Sequence, residues 1–145
     1  MASGGRRFSF SVAIVIGNRK GSVGVGTGKA GDTSLAIDKA VKNAKKNLLT
    51  LNLTKSGSIR HDVEAKFGSA RVLLMPAKGR GIVAGSAVRD MVELGGIKDI
   101  NAKILSGSKN KLNIARAMIK ALDQVNVAWR KGAPKAGAKA EAVSK

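Results

Sequence analysis

The chain has no cysteine among its 145 residues. That excludes a disulfide scaffold, thiolate metal sites and a cysteine nucleophile. A single histidine leaves no means of building a multi-histidine zinc site. Aromatic residues make up 3%, so the core must be aliphatic and bases have few ring faces to stack on. No apolar run approaches the roughly 18 residues that a membrane span requires. The opening Met1-Ala2-Ser3-Gly4-Gly5-Arg6-Arg7 has no apolar stretch, so no secretory signal is expected and the chain reads as cytosolic. Acidic residues are also scarce, 9 against 27 Lys and Arg.

Hydrophobic residues reach 43%, enough for a packed core, and the length suits one domain or two small ones. The net charge is +18 at pH 7. It is spread along the chain: 9 basic and 2 acidic groups in residues 1–54, 13 and 6 in residues 55–128, and 5 and 1 in residues 129–145. Cations that neutralise phosphates release counterions, so this balance points to a nucleic-acid partner rather than to a neutral enzyme with a basic tail.

Phe8, Phe10, Val12, Ile14 and Ile16 alternate with small or polar residues, the period of a half-buried strand over 7–16. Gly17-Asn18-Arg19-Lys20-Gly21 is a turn, and Ser22 to Thr27 is a second strand, giving a hairpin with a basic tip. On that second strand Gly24, Gly26 and Gly28 share one face. Such a bare face costs chain entropy. It suits either close approach by another backbone, of protein or RNA, or packing beneath a helix.

A helix is expected from Asp32 to about Leu49, capped by Asp32 or Thr33. Its apolar face is Ile37, Ala40, Val41, Ala44 and Leu48, and Lys39, Lys42, Lys45 and Lys46 lie elsewhere on its surface. Thr54-Lys55-Ser56-Gly57 is the best boundary between two units. Beyond it, strands are expected over 58–66 and 70–75, a loop over 76–81, a helix over 82–94 ended by Gly95-Gly96, a strand over 97–105 and a helix over 111–127. Residues 130–145 are mostly Lys, Ala, Gly and Pro, without apolar period, and are expected to be disordered.

Gly26-Thr27-Gly28-Lys29-Ala30-Gly31 fits the spacing of a dinucleotide-binding turn. Positions 45–52 hold no acid for a ribose, which that site requires. A phosphate-binding loop fails because Ala30 follows Lys29. In a strand, His61 and Val63 share one face while Asp62 and Glu64 take the other, so the histidine and its neighbouring acids diverge. No serine or threonine has a second histidine to serve as base. The sequence contains no catalytic constellation, and no cofactor, metal or small-molecule substrate is expected. Trp129, after the last helix, is read as a hydrophobic cap rather than a stacking platform.

Six motifs then fall in order: Gly4-Gly5-Arg6-Arg7-Phe8-Ser9-Phe10, Gly21-Ser22-Val23-Gly24-Val25-Gly26-Thr27-Gly28-Lys29-Ala30, Ala40-Val41-Lys42-Asn43-Ala44-Lys45-Lys46-Asn47-Leu48, Val72-Leu73-Leu74-Met75-Pro76-Ala77, Gly81-Ile82-Val83-Ala84-Gly85-Ser86-Ala87-Val88-Arg89 and Asn113-Ile114-Ala115-Arg116-Ala117. Together they resemble the bacterial family of small-subunit ribosomal protein number five. The resemblance implies an α+β chain of two small α/β units. The first, residues 1–54, is a hairpin plus helix like a double-stranded-RNA-binding domain; the second, residues 55–128, is a β-α-β-α unit; residues 129–145 form a basic tail. It further implies a structural, non-enzymatic protein of the small ribosomal subunit in the cytoplasm. Such a protein binds ribosomal RNA and ribosomal proteins four and eight, sits near the messenger RNA entrance and affects decoding accuracy.

By that resemblance Gly4, Gly5 and Arg6 touch ribosomal RNA, and Gly81 and Arg89 face ribosomal protein four. Arg7, Arg19, Lys20, Lys29, Lys42, Lys45 and Lys46 complete the candidate RNA contacts. The chain departs from the family pattern at the tip Asn18-Arg19-Lys20, where an acid is common, at Ser22 in place of Arg, and at Lys111 in place of Pro. The segment that usually precedes Gly4-Gly5-Arg6 is nearly absent. A free-standing double-stranded-RNA-binding regulator is the alternative, since the first unit could act alone. An ATPase built on the second unit ranks third.

Overall fold

A computed structural model describes residues 3–127; Trp129 and the 130–145 tail lie outside the described residues. The fold is α+β. Strand β1 (Phe10–Gly17) pairs antiparallel with β2 (Ser22–Ala30), in a register that sets Ile14 opposite Gly26 and Val15 opposite Val25. Helix α1 (Thr33–Lys46) follows, and β3 (Leu48–Thr50) adds to the other edge of β2. The expected helix to Leu49 therefore stops short. Asn47 caps it, and Leu48 and Leu49 gain ladder pairing with Gly24 and Val23 instead.

The glycine face of β2 lies under α1. A β-carbon on Gly26 would overlap the Ala40 carbonyl and the Ala44 amide, and one on Gly28 would overlap the Ala36 carbonyl. The buried face of α1 is accordingly Ala36, Ala40 and Ala44. This corrects the expected face: Ile37 and Leu48 are about half exposed, at 46% and 48%. Close approach of backbones admits only side chains of one carbon between them. Asp32 precedes the helix in extended conformation but makes no side-chain cap bond.

The second unit opens with the hairpin β4 (Val63–Phe67) and β5 (Ala70–Pro76), then β6 (Ile82–Val83), α2 (Ser86–Gly95), β7 (Ile100–Ile104) and α3 (Lys111–Val127). The sheet order is β4-β5-β7-β6, with β6 and β7 parallel, so β6-α2-β7-α3 is the β-α-β-α segment. The expected helix start at Ile82 is corrected to Ser86. Ile82 and Val83 form β6 because they pair with Ile100 and Asn101 while Gly81, at φ 70°, breaks the chain direction just before. The strand expected from Ser58 begins only at Val63; Ser58 itself makes an isolated bridge to Asp99.

Helices α2 and α3 lie between the two sheets, touching β1 and β2 on one side and β4, β5 and β6 on the other. Val23 and Leu51 belong to the same buried cluster as Leu74, Met91, Ile100, Met118 and Leu122. The aliphatic core thus runs through both units without interruption.

Candidate nucleic-acid interface

Residues 3–10 are exposed. Gly4 and Gly5 have φ of 138° and 50°, with nothing within 4 Å of a β-carbon at either. They set the path of Arg6 and Arg7 along an open surface. This segment and Lys29 lie at one end of the β1-β2 hairpin, since Phe10 pairs with Ala30 and Ser11 with Lys29.

The basic tip lies at the other end, roughly 25 Å away at about 3.3 Å per residue of strand. The Asn18 Oδ1 accepts bonds from the Lys20 and Ser22 amides at 2.8 and 3.0 Å, an Asx turn that leaves both basic side chains outside. Arg19, at φ 57°, has its amide turned inward, donating to the Leu94 carbonyl at 2.9 Å. Gly21 donates to the Gly95 carbonyl at 3.0 Å. The tip is therefore fixed on the last turn of α2.

Along α1, Lys42, Lys45 and Lys46 are exposed. Lys45 and Lys46 stand three and four residues beyond Lys42, so each is its neighbour on the helix surface and the three form one basic patch. Lys39 reaches the Lys29 carbonyl with its Nζ at 3.4 Å, which draws a further cation beside Lys29. None of the eight candidate arginines and lysines forms an ion pair within the described residues. Cations left without acids in a chain of +18 create a surface potential that attracts polyanions.

Arg89, and Ile82 next to Gly81, come near the tip. Arg19, Ile82, Arg89, Glu93 and Lys98 line one open groove of about 620 Å³. The structure thus joins a candidate RNA contact, Arg19, to a candidate protein contact, Arg89. Arg89 is exposed, as its helix position predicts, but its partner is not wholly external: Nε donates to Glu93 Oε1 at 3.0 Å, one turn along α2. Gly81 is held from behind. The Asp99 carboxylate accepts the Gly79 and Gly81 amides, both at 3.2 Å. Asp99 thereby fixes the loop that carries Lys78 and Arg80. Sequence reasoning missed Asp99, because its partners lie about 20 residues upstream and no local pattern announces them.

Among the described residues no three His, Cys, Asp or Glu side chains are grouped to hold a metal, and no helix is long and apolar enough to cross a membrane. The one histidine is exposed.

Residues 1–52 match the family model of the ribosomal protein S5 N-terminal domain, and residues 65–128 match that of the ribosomal protein S5 C-terminal domain. The chain is 52% identical over 123 residues to the small ribosomal subunit protein uS5 of Campylobacter jejuni, covering 84% of this chain and 82% of that one. It is 48% identical over 139 residues to uS5 of Crocosphaera subtropica, covering 92% and 80%. Against uS5c of Cyanidium caldarium it is 50% identical over 127 residues, covering 87% and 75%. Two consecutive family matches and relatives near half identity over most of both chains agree with the six motifs, and the chain belongs to the ribosomal protein S5 family.

Proposed function

We propose that this chain is a structural, non-catalytic constituent of the small ribosomal subunit, built as two units, residues 1–54 and 55–128, that bind ribosomal RNA together. The observation that carries the proposal is the set of exposed cations without acidic partners: Arg6, Arg7 and Lys29 at one end of the hairpin, Arg19 and Lys20 at the other, and Lys42, Lys45 and Lys46 between them on α1. A set distributed over roughly 25 Å of strand suits the phosphates of folded RNA better than a single small anion. Gly81 and Arg89 face ribosomal protein four, and ribosomal protein eight is the second protein neighbour. The chain sits near the messenger RNA entrance and contributes to decoding accuracy. Its place is in the ribosome.

Membership of a family whose relatives are named as small-subunit proteins supports this reading. The alternative, a free-standing double-stranded-RNA-binding regulator, is disfavoured by the shared core, since the first unit alone would expose Val23 and Leu51. The test is co-sedimentation with small subunits at moderate salt, followed by chemical footprinting of the ribosomal RNA. Protection of defined nucleotides is the expected result. Release at moderate salt with no protection would reject the ribosomal role.

A further inference from the structure

Between α1 and α3 runs a groove of about 550 Å³, within the roughly 300–1,000 Å³ of ligand-binding clefts. Its base is apolar: Val25, Leu49 and Ile119 lie there, at the edge of the core. One wall is an amide row at the end of α1, formed by Asn43 and the capping Asn47. Asn43 Nδ2 donates to the Thr27 carbonyl at 3.0 Å, and Asn47 Nδ2 donates to Asn43 Oδ1 at 3.0 Å. Asn43 is thus anchored to the sheet, and Asn47, oriented by it, keeps a carbonyl oxygen and a second amide hydrogen for a ligand. The opposite wall carries Phe67 with the Arg116 guanidinium 5.5 Å from its ring centroid.

The rim is basic. Arg116 and Lys120, whose Nζ donates to the Lys66 carbonyl at 3.3 Å, line the groove with Asp123 as the one acid, and Lys46 stands one turn beyond Asn43 on α1. A bare phosphate has no use for an apolar base, and a duplex offers no exposed base face. An unpaired nucleotide uses every part. Its ring fits the apolar base and the Phe67–Arg116 stack, its polar edge meets Asn47, and its phosphate meets the cationic rim.

We propose that this groove receives a single unstacked nucleotide of the bound RNA. The inference rests on the RNA-binding reading above and adds to it the kind of RNA feature recognised. The test uses the full chain and two RNA hairpins, identical except that one carries a single bulged 2-aminopurine. The wild-type protein should bind the bulged hairpin about tenfold more tightly, within the range of one stacked base, with a change in 2-aminopurine fluorescence. Two variants probe the walls: Arg116→Lys keeps the charge and loses the planar guanidinium, and Phe67→Leu keeps apolar bulk and loses the ring. Each should bind both hairpins alike, with unchanged affinity for the unbulged one.

Equal wild-type affinity for the two hairpins overturns the proposal while leaving general RNA binding intact. Retention of the full preference by Arg116→Lys overturns it as well, because charge alone would then explain the effect. No wild-type binding to either hairpin would reject the broader reading together with this one. Perturbation of the Asn47 amide resonances by a glutamate-rich peptide, with equal binding of both hairpins, would assign the groove to a protein and overturn the nucleotide.

Discussion

The backbone amide of Arg19 donates to the carbonyl of Leu94 at 2.9 Å. Through this bond the hairpin tip of the first unit covers the C-terminal end of the second unit's first helix. Gly96, at φ 76°, ends that helix in left-handed conformation, with its amide bonded to the Glu93 carbonyl at 3.2 Å and that of Ile97 to Val92 at 3.1 Å. A β-carbon on Gly96 would overlap the Arg19 carbonyl. Glycine is needed there twice, for its dihedral angle and for the approach of the tip.

Replacing Gly96 with Ala should therefore destabilise the protein by at least about 2 kcal/mol, combining left-handed strain with displacement of the tip. Gly31→Ala is the control, since Gly31 has no positive φ and nothing within 4 Å of a β-carbon; it should fall within about 0.5 kcal/mol of wild type. Urea denaturation measures both. Equal midpoints for the two variants would show that the tip does not hold the units together.

The Gly26–Ala40 contact makes a second demand. No rotamer relieves an overlap between a β-carbon and backbone, so Gly26→Ala must push α1 away from β2. The loss should exceed about 3 kcal/mol, above the usual cost of overpacking a core, because α1 covers this face of the sheet along most of its length. Circular dichroism melting of Gly26→Ala beside Gly85→Ala, where a β-carbon meets nothing, checks it. A melting point within a few degrees of wild type would mean that α1 is not seated on the glycine face.

This contact also shows where the sequence was legible and where it was not. The strand expected over 7–16 was readable in part: β1 begins at Phe10 and alternates over Val12 to Ile14, but Phe8, expected on the inward face, precedes it and is exposed, and Phe10 is about half exposed; the end of α2 was readable because Gly95-Gly96 is a common stop signal. The seat of α1 was half legible: packing beneath a helix was one of two readings of the glycine face, and the structure bears it out, but the face that the helix turns to it was misassigned. Hydrophobicity ranks Ile37 and Leu48 above alanine, whereas the packing is decided by what the neighbouring strand lacks. Glycines on β2 bring two backbones together and reserve the buried face for Ala36, Ala40 and Ala44. Ile82-Val83 was too short for any periodicity to assign. In the candidate site, exposed cations were legible as a class. Non-local bonds were not: Asp99 holding Gly79 and Gly81, or Asn43 reaching Thr27, becomes visible only when distant segments meet.

The lysines of α1 should act on RNA through salt. Replacing Lys42, Lys45 and Lys46 with Gln removes three charges and no buried atom, so the melting temperature should stay near wild type. For every phosphate that is no longer neutralised, the slope of log affinity against log salt should fall by roughly 0.7–0.9. Removal of residues 130–145 should likewise weaken RNA binding without changing the melting temperature. Filter binding across a salt series reads the slope. An unchanged slope in the triple variant would place these lysines in solvent, away from RNA.

Arg89 tests the protein-facing side of the proposal. Its Glu93 partner is an exposed pair at i,i+4, which contributes about 0.3–0.5 kcal/mol. Arg89→Leu should therefore leave the melting curve almost unchanged, since the apolar face of α2 uses Val88, Met91 and Val92. If Arg89 reaches a carboxylate on ribosomal protein four, the substitution should weaken that interface by roughly 2–5 kcal/mol where the pair is buried. A looser interface should ease closure of the subunit and raise misreading. Glu93→Gln separates the two roles. It removes the charge of the internal pair and so weakens its hold on the guanidinium while leaving Arg89 in place for the partner, so it should leave misreading at or below the wild-type level. A misreading reporter run with both variants, alongside their melting curves, decides the matter. Raised misreading in both would trace the effect to the Arg89–Glu93 pair and α2 itself. Normal misreading in Arg89→Leu, with subunits assembling normally, would remove Arg89 from the interface.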